Sequence, residues 1–258
     1  MCLIVLAWQV HPRWPLLLVA HRDEFRDRPS AALAWWPDAK LLAGRDLRAG
    51  GTWLGVNGAG SFAALTNVRG VPVGAAALSR GVWVRRALQP DAAALLPAQL
   101  DAEASCSGAF NLLHGNRHRI QVFHSPHQQH QQLQPGVHAL SNAQLNTAWP
   151  KVRESRSRMR ALLDTDRTDG LDEAALWSVL HHDRIDPSCD LPDTGIGAVW
   201  ERRLAPPLIL GPGYGTVSRT LLALGHSGEV QMIEQQLDAH GHVCAEVREA
   251  FVSDPITA

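Results

Sequence analysis

Cysteine is scarce in this chain. Cys2, Cys106, Cys189 and Cys244 stand far apart with no Cys-x-x-Cys pair, so the sequence implies neither a zinc site nor a disulfide framework. Such usage fits a reducing compartment, and the cytoplasm is the expected location. Long apolar runs are missing too: no stretch reaches the about eighteen apolar residues of a membrane-spanning helix. The apolar opening MCLIVLAWQVHPRWPLLLVA lacks the basic segment of a signal peptide and is broken by His11, Pro12 and Pro15. Nor is there an excess of charge, since 24 Lys+Arg against 25 Asp+Glu leave a formal charge of -1 and nucleic acid is not an implied partner. The local cluster Arg153, Arg156, Arg158 and Arg160 falls on a broad polar helix face, where water solvates it. What remains is 45% hydrophobic residues with no linker-like stretch, so residues 1–258 read as one soluble domain with a sizeable core.

Leu3 to Val10 and Leu16 to Ala20 are β-rich runs around a Pro-containing turn, the pattern of two buried strands. Trp53 to Val56 and Ser61 to Thr66 repeat the design around the hairpin signal Asn57-Gly58. Further strands are expected at Phe110 to Leu113, Arg119 to His124, Thr216 to Leu224 and Glu229 to Gln235, the last two joined by the Gly225 to Gly228 turn. Helices are expected over Asp91 to Ala104, over Trp149 to Leu163, where Val152, Met159 and Leu163 recur at helical spacing, and near Leu171 to His181. Tight hairpins without βαβ alternation argue for an α+β fold, antiparallel sheets with helices layered outside.

The His/Gln-rich run from His124 to Gln134 places His124, His127 and His130 three residues apart. Pro126 opposes a helix that would align the rings, and Gln-rich tracts are solvated loops, so no metal site is assigned there. His181-His182-Asp183 and His240-Gly241-His242 are equally unspecific. Nine tryptophans against one tyrosine is an odd balance that does not itself distinguish a ligand wall from a core.

Chemistry enters at Cys2. Initiator methionine is normally removed ahead of so small a residue, which leaves one residue holding a thiol and a free α-amine. Such an amine has a pKa of about 7.7–8.0, so it can take the thiol proton and later hand it to a leaving amine. The competing reading is a small hydrophobe at the edge of a buried strand. Three sets of polar residues at the ends of apolar runs strengthen the first reading. His21-Arg22-Asp23-Glu24 follows the second run, and an Arg and a carboxylate beside an N-terminal Cys can lower the thiol pKa and hold the ammonium. Asn67 ends one run and Asn142 follows another, and side-chain amides there can donate to a developing oxyanion. Taken singly, each also suits a turn or a cap. Gly50, Gly51 and Trp53 read as a pliable entrance beside an apolar wall.

Seven pieces, in order, carry a family resemblance: Met1-Cys2; His21-Arg22-Asp23-Glu24-Phe25 with Arg28-Pro29; Gly50-Gly51-Thr52-Trp53-Leu54-Gly55; Leu65-Thr66-Asn67; Leu140-Ser141-Asn142; Trp149-Pro150-Lys151; and Gly213-Tyr214-Gly215-Thr216. Together they resemble the NRDE family, related to the transport-and-Golgi-organisation proteins. That family is similar to N-terminal-nucleophile hydrolases of the choloylglycine hydrolase and penicillin V acylase kind. The resemblance implies a four-layer αββα fold, with Cys2 as nucleophile, Arg22 and Asp23 as its electrostatic partners, and Asn67 and Asn142 as amides flanking the substrate carbonyl. Gly51, Trp53 and Tyr214 are expected at the substrate.

Two departures stand out. His21 replaces the Asn of the name-giving motif, and Val217 stands where the resemblance implies an arginine. Arg219, two places later, is expected to reach back from the same strand face. The acylases also space their Arg and Asp by two residues, whereas Arg22 and Asp23 are adjacent, so one of them is expected to face away. The resemblance implies hydrolysis of a small non-peptide amide or acyl compound through an acyl-Cys2 intermediate, with no cofactor required. It leaves open a non-catalytic protein that binds or traffics haem, or handles a lipid such as acyl-CoA, in the same cleft. A Golgi-organising partner role has only the family's name behind it. No haem attachment motif is present, so haem would be held non-covalently.

Overall fold

The computed structural model describes residues 2–71, 78–165, 170–186 and 188–254, and for Cys2 the backbone alone. One antiparallel sheet is built from β1 (Cys2–Trp8), β2 (Leu16–Phe25), β10 (Gly136–Leu140), β11 (Tyr214–Leu224), β12 (Glu229–Leu237) and β13 (Val243–Val252), in the order β10-β1-β2-β11-β12-β13. The second sheet is a seven-stranded antiparallel meander: β3 (Ser30–Trp36), β4 (Leu41–Asp46), β5 (Leu54–Asn57), β6 (Phe62–Asn67), β7 (Phe110–Gly115), β8 (Ile120–His124) and β9 (Gln129–Gln132). Helices α1 (Gly81–Ala87) and α2 (Ala92–Glu103) cover the second sheet; α3 (Pro150–Thr165) and α4 (Glu173–Ser178) cover the first, and α5 (Ala198–Arg203) lies near the start of β11.

Alternation along β1 explains the layering. Ile4, Leu6 and Trp8 join Leu18, Leu54, Phe62 and Leu113 in the core between the sheets. Leu3, Val5 and Ala7 point the other way and pack with Val152 and Met159 of α3 and Leu176 and Trp177 of α4. Both faces being covered, β1 and the first half of β2 read as unbroken apolar runs rather than alternating ones. A third core joins Leu41, Ala63 and Phe110 of the second sheet to Trp83 and Val84 of α1 and Leu96 and Leu100 of α2. The result is the expected αββα arrangement. No helix among the described residues is long and apolar enough to cross a membrane.

Gln129–Gln132, in the tract read as a solvated loop, forms the exposed edge strand β9, β1 ends at Trp8 and β11 begins at Tyr214, and two further boundaries differ from expectation. β2 does not stop at Ala20 but continues to Phe25, so His21, Arg22 and Asp23 sit inside a strand flanked by β1 and β11. The helix near Leu171 to His181 is shorter, Glu173–Ser178. Its start is capped by Asp172, which accepts from the Ala175 N–H, and at its end the Ser178 hydroxyl turns back onto the Ala175 carbonyl.

Candidate active site

The register of the first sheet gathers the polar residues at one end. Cys2 is paired with Arg22 across the β1–β2 ladder. On the other flank of β2, Arg22 faces Ser218 and Asp23 faces Thr216, with a bulge at Val217 between them. β10 runs beside β1 with Leu140 opposite Ile4, so the Ser141-Asn142 segment that follows lies toward the Cys2 end. The Cys2 side chain lies outside the described residues.

Arg22 is 6% exposed and lies over Trp53, its guanidinium carbon 4.2 Å from the ring centroid. Trp53 stands just before β5, over Gly44, where an added Cβ would come within 2.5 Å of the indole. Only a glycine there admits the ring. A cleft of about 120 Å³ opens beside this pair and is lined by Arg22, Asp23, Gly51, Trp53, Leu65 and Asn67, among others. Its rim carries Arg28, whose Nε donates to Asp46 at 2.6 Å. Gly51 is not a pliable element: a Cβ there would meet the Gly81 backbone at 2.8 to 3.0 Å, so the loop is packed hard against the start of α1. Gly50, with φ +70, is the turn residue.

Asp23 is held differently from its neighbour. Its Oδ1 accepts from the Thr216 hydroxyl at 2.8 Å, and its backbone carbonyl accepts from the Tyr214 hydroxyl at 3.3 Å. Burial pushes its carboxyl up, opposed by positive charge that includes Lys151 and by the Thr216 hydrogen bond. Tyr214 is therefore a buried prop beneath Asp23, not part of the cleft wall. Asn67 lines the cleft; Asn142 does not, but its Nδ2 donates to the Asn67 carbonyl at 2.9 Å, tying β6 of one sheet to the segment after β10 of the other.

Arg219 stays away from the cleft. Its Nε donates to Gln235 at 2.6 Å, its Nη1 lies 3.4 Å from His181 Nδ1, and its guanidinium carbon is 4.7 Å from the Trp177 centroid, all on the helix-covered outer face. The reason is the bulge: Val217 is the extra residue, and beyond it Arg219 falls opposite His21. His21 shares that face, and its Nδ1 donates to the Pro207 carbonyl at 2.9 Å. Burial lowers its imidazole to about 3, so it is neutral. In the His-rich run, the His124 and His127 rings are 5.1 Å apart, while His130 turns to Phe123 and Asp101. Among the described residues no group of three or more His, Cys, Asp or Glu is placed to hold a metal ion.

Several residues of this neighbourhood were given no role from the sequence, although Lys151 stands in one of the seven quoted pieces. Arg69, two residues past Asn67, has its side chain buried over Trp149, with its guanidinium carbon 4.5 Å from the ring centroid, and paired with Glu201 of α5 at 2.9 Å. Its charge and that of Lys151 both act on Asp23. Lys151, in the first turn of α3, is 2% exposed and donates to the Leu204 carbonyl at 3.0 Å. Glu234 of β12 is buried and accepts at Oε1 from the Leu33 N–H at 2.9 Å and from Gln236 Nε2 at 2.8 Å.

The family model described as Transport and Golgi organisation 2 matches residues 1–239. The chain belongs to that family. A Transport and Golgi organization protein 2 homolog of Bos taurus is 29% identical over 279 residues, covering 99% of this chain and 95% of its own. The homolog of Homo sapiens is 28% identical, over 92% of this chain and 93% of its own. All the pieces from Met1-Cys2 to Gly213-Tyr214-Gly215-Thr216 fall within the matched span. Among solved structures, the Caenorhabditis elegans N-acylethanolamine-hydrolyzing acid amidase (NAAA) ortholog aligns over 86% of this chain and 92% of its own, with 10% identity and a TM-score of 0.39.

Proposed function

We propose that this protein is an N-terminal-nucleophile amidohydrolase that cleaves a small non-peptide amide, or a related acyl compound, through an acyl-Cys2 intermediate. The observation that carries the reading is the register setting Cys2 opposite Arg22, next to Asp23, at the end of the sheet where Asn67 borders the cleft. Loss of Met1 leaves Cys2 with a free amine. The amine takes the thiol proton, the thiolate adds to the substrate carbonyl carbon, and the carbonyl oxygen becomes an oxyanion. The Asn67 side-chain amide donates to that oxygen while Asn142 holds the Asn67 backbone in place. Collapse breaks the C–N bond, the Cys2 ammonium returns its proton to the leaving amine, and water, deprotonated by the same amine, releases the acyl group. Asp23 holds the ammonium, and the guanidinium of Arg22 favours the thiolate. Arg219 and Tyr214 have no part in these steps.

The size of the cleft supports small-molecule chemistry. At about 120 Å³ it falls below the about 300–1,000 Å³ of pockets for drug-sized ligands, and no observation favours haem or an acyl-CoA as its occupant. The test is an activated acyl ester compared between wild type and Cys2→Ala: an adduct on Cys2 that is absent from the variant is expected. Labelling that persists in the variant, on Cys106, Cys189 or Cys244, would remove the reading. A Soret shift on titration with haem at micromolar concentration would favour the carrier instead.

A further inference from the structure

Behind the amide pair lies a buried hydrogen-bond chain that the steps above do not use. Asn111, in the middle of the second sheet on β7, is fully buried. Its Nδ2 donates to the Ala143 carbonyl at 2.8 Å and to the Thr66 hydroxyl at 2.9 Å, with the Ser141 carbonyl at 3.4 Å. One amide therefore grips the backbone on both sides of Asn142, and also grips Thr66, the residue before Asn67. Its Oδ1 lies 2.6 Å from Nδ1 of His124 on the neighbouring strand β8. Since three acceptors surround Nδ2, the oxygen must be the atom facing His124, and the imidazole must carry its proton on Nδ1.

We infer that Asn111, oriented by His124, is a positioning residue: it fixes the segment from which Asn142 holds Asn67, and so sets the Asn67 amide for oxyanion stabilisation. Asn67 ends β6 of the second sheet and Asn142 follows β10 of the first; their segments are tied by the Asn142 side-chain hydrogen bond to the Asn67 carbonyl and by the Arg69 N–H, which donates to the Asn142 carbonyl at 2.9 Å. Asn111 supplies an independent tie between the same two segments, through Thr66 on one side and Ser141 and Ala143 on the other. Burial and the nearby His127 hold the His124 imidazole below the ordinary histidine value, so at neutral pH it has a single proton to place. Without a donor at His124 the Asn111 oxygen is left buried with no partner there, and the hold on the amide weakens. The inference rests on the amidohydrolase reading for its purpose, not for its geometry.

The test compares two reactions of Cys2 in the full-length protein. Transfer from p-nitrophenyl acetate passes through an oxyanion; alkylation by iodoacetamide does not. Asn111→Asp, which keeps the shape and replaces the donor by a carboxyl oxygen, should slow acylation about 10- to 100-fold while alkylation changes by no more than about twofold. Equal loss of both rates, or loss of neither, overturns the inference. If Asn111→Asp does not fold, His124→Leu and His124→Asn decide: Leu should depress the acylation-to-alkylation ratio and Asn, which can place an N–H where Nδ1 was, should restore it. Identical ratios in the two overturn it. Should wild-type Cys2 react with neither reagent, the amidohydrolase reading fails on its own. The positioning claim is then judged by the side-chain amide NMR signals of Asn142 and Asn67, which should move in Asn111→Asp; unmoved signals refute it.

Discussion

Arg22 lies over Trp53, its guanidinium carbon 4.2 Å from the ring centroid, and so joins a strand of the first sheet to the loop that enters the second at the mouth of the cleft. The contact fixes the guanidinium of the residue that pairs with Cys2 in the β1–β2 ladder. A lysine keeps the charge but loses the planar stack. Arg22→Lys and Trp53→Leu should therefore each slow labelling of Cys2 by an acyl ester, by roughly tenfold for a loss on the order of 1–2 kcal/mol. Unchanged labelling in both would separate the stack from the chemistry.

Glu234 predicts a pH dependence of stability. Burial pushes its carboxyl up to about 7 from an ordinary 4.5, against hydrogen bonds from Leu33 and Gln236 and the charge of Arg22, which pull it down. In that interval the folded protein holds a proton that the unfolded chain has lost, so stability falls as pH rises from 4.5 to 7 and levels off above. The contribution is on the order of 3 kcal/mol. Glu234→Gln keeps an acceptor for the Leu33 N–H and removes the titration. Denaturant unfolding should show the variant matching wild type at the acid end and exceeding it above neutrality; parallel profiles would refute the assignment.

Much of this architecture was legible in the residues, and the exceptions share causes. β1 and the apolar part of β2 declare themselves because covered faces demand apolar side chains at every position, and Asn67 and Asn142 mark the ends of runs. The tail of β2 was hidden because His21, Arg22 and Asp23 are buried polar residues in a central strand, which breaks the pattern by which strands are recognised. Arg219 was misplaced because period-two counting does not carry across the Val217 bulge. Asn111 offered a signal that can be used: an amide between Phe110 and Leu112 in a buried strand must be satisfied by something. Arg69 and Glu201 offered none, being 132 residues apart in the chain and neighbours only in the fold.

That pair yields a third expectation. The Arg69 and Glu201 side chains are 6% and 4% exposed, and Glu201 also accepts from the Thr194 N–H at 2.8 Å and from its hydroxyl. Glu201→Ala strands a buried guanidinium within electrostatic reach of Asp23, at a cost of about 3–5 kcal/mol. Arg69→Met combined with Glu201→Leu should cost much less than the sum of the single changes. Additive losses in a double-mutant cycle of unfolding free energies would show that the two groups do not act as a pair.

The whole account depends on Cys2 becoming the first residue and reacting there. Intact-mass and peptide-mapping spectra of the native protein, before and after treatment with an activated acyl ester, test this in one experiment. The account predicts a chain lacking Met1 that gains a single acyl group on Cys2. A chain that retains Met1, or an acyl group found only on other residues, would contradict it.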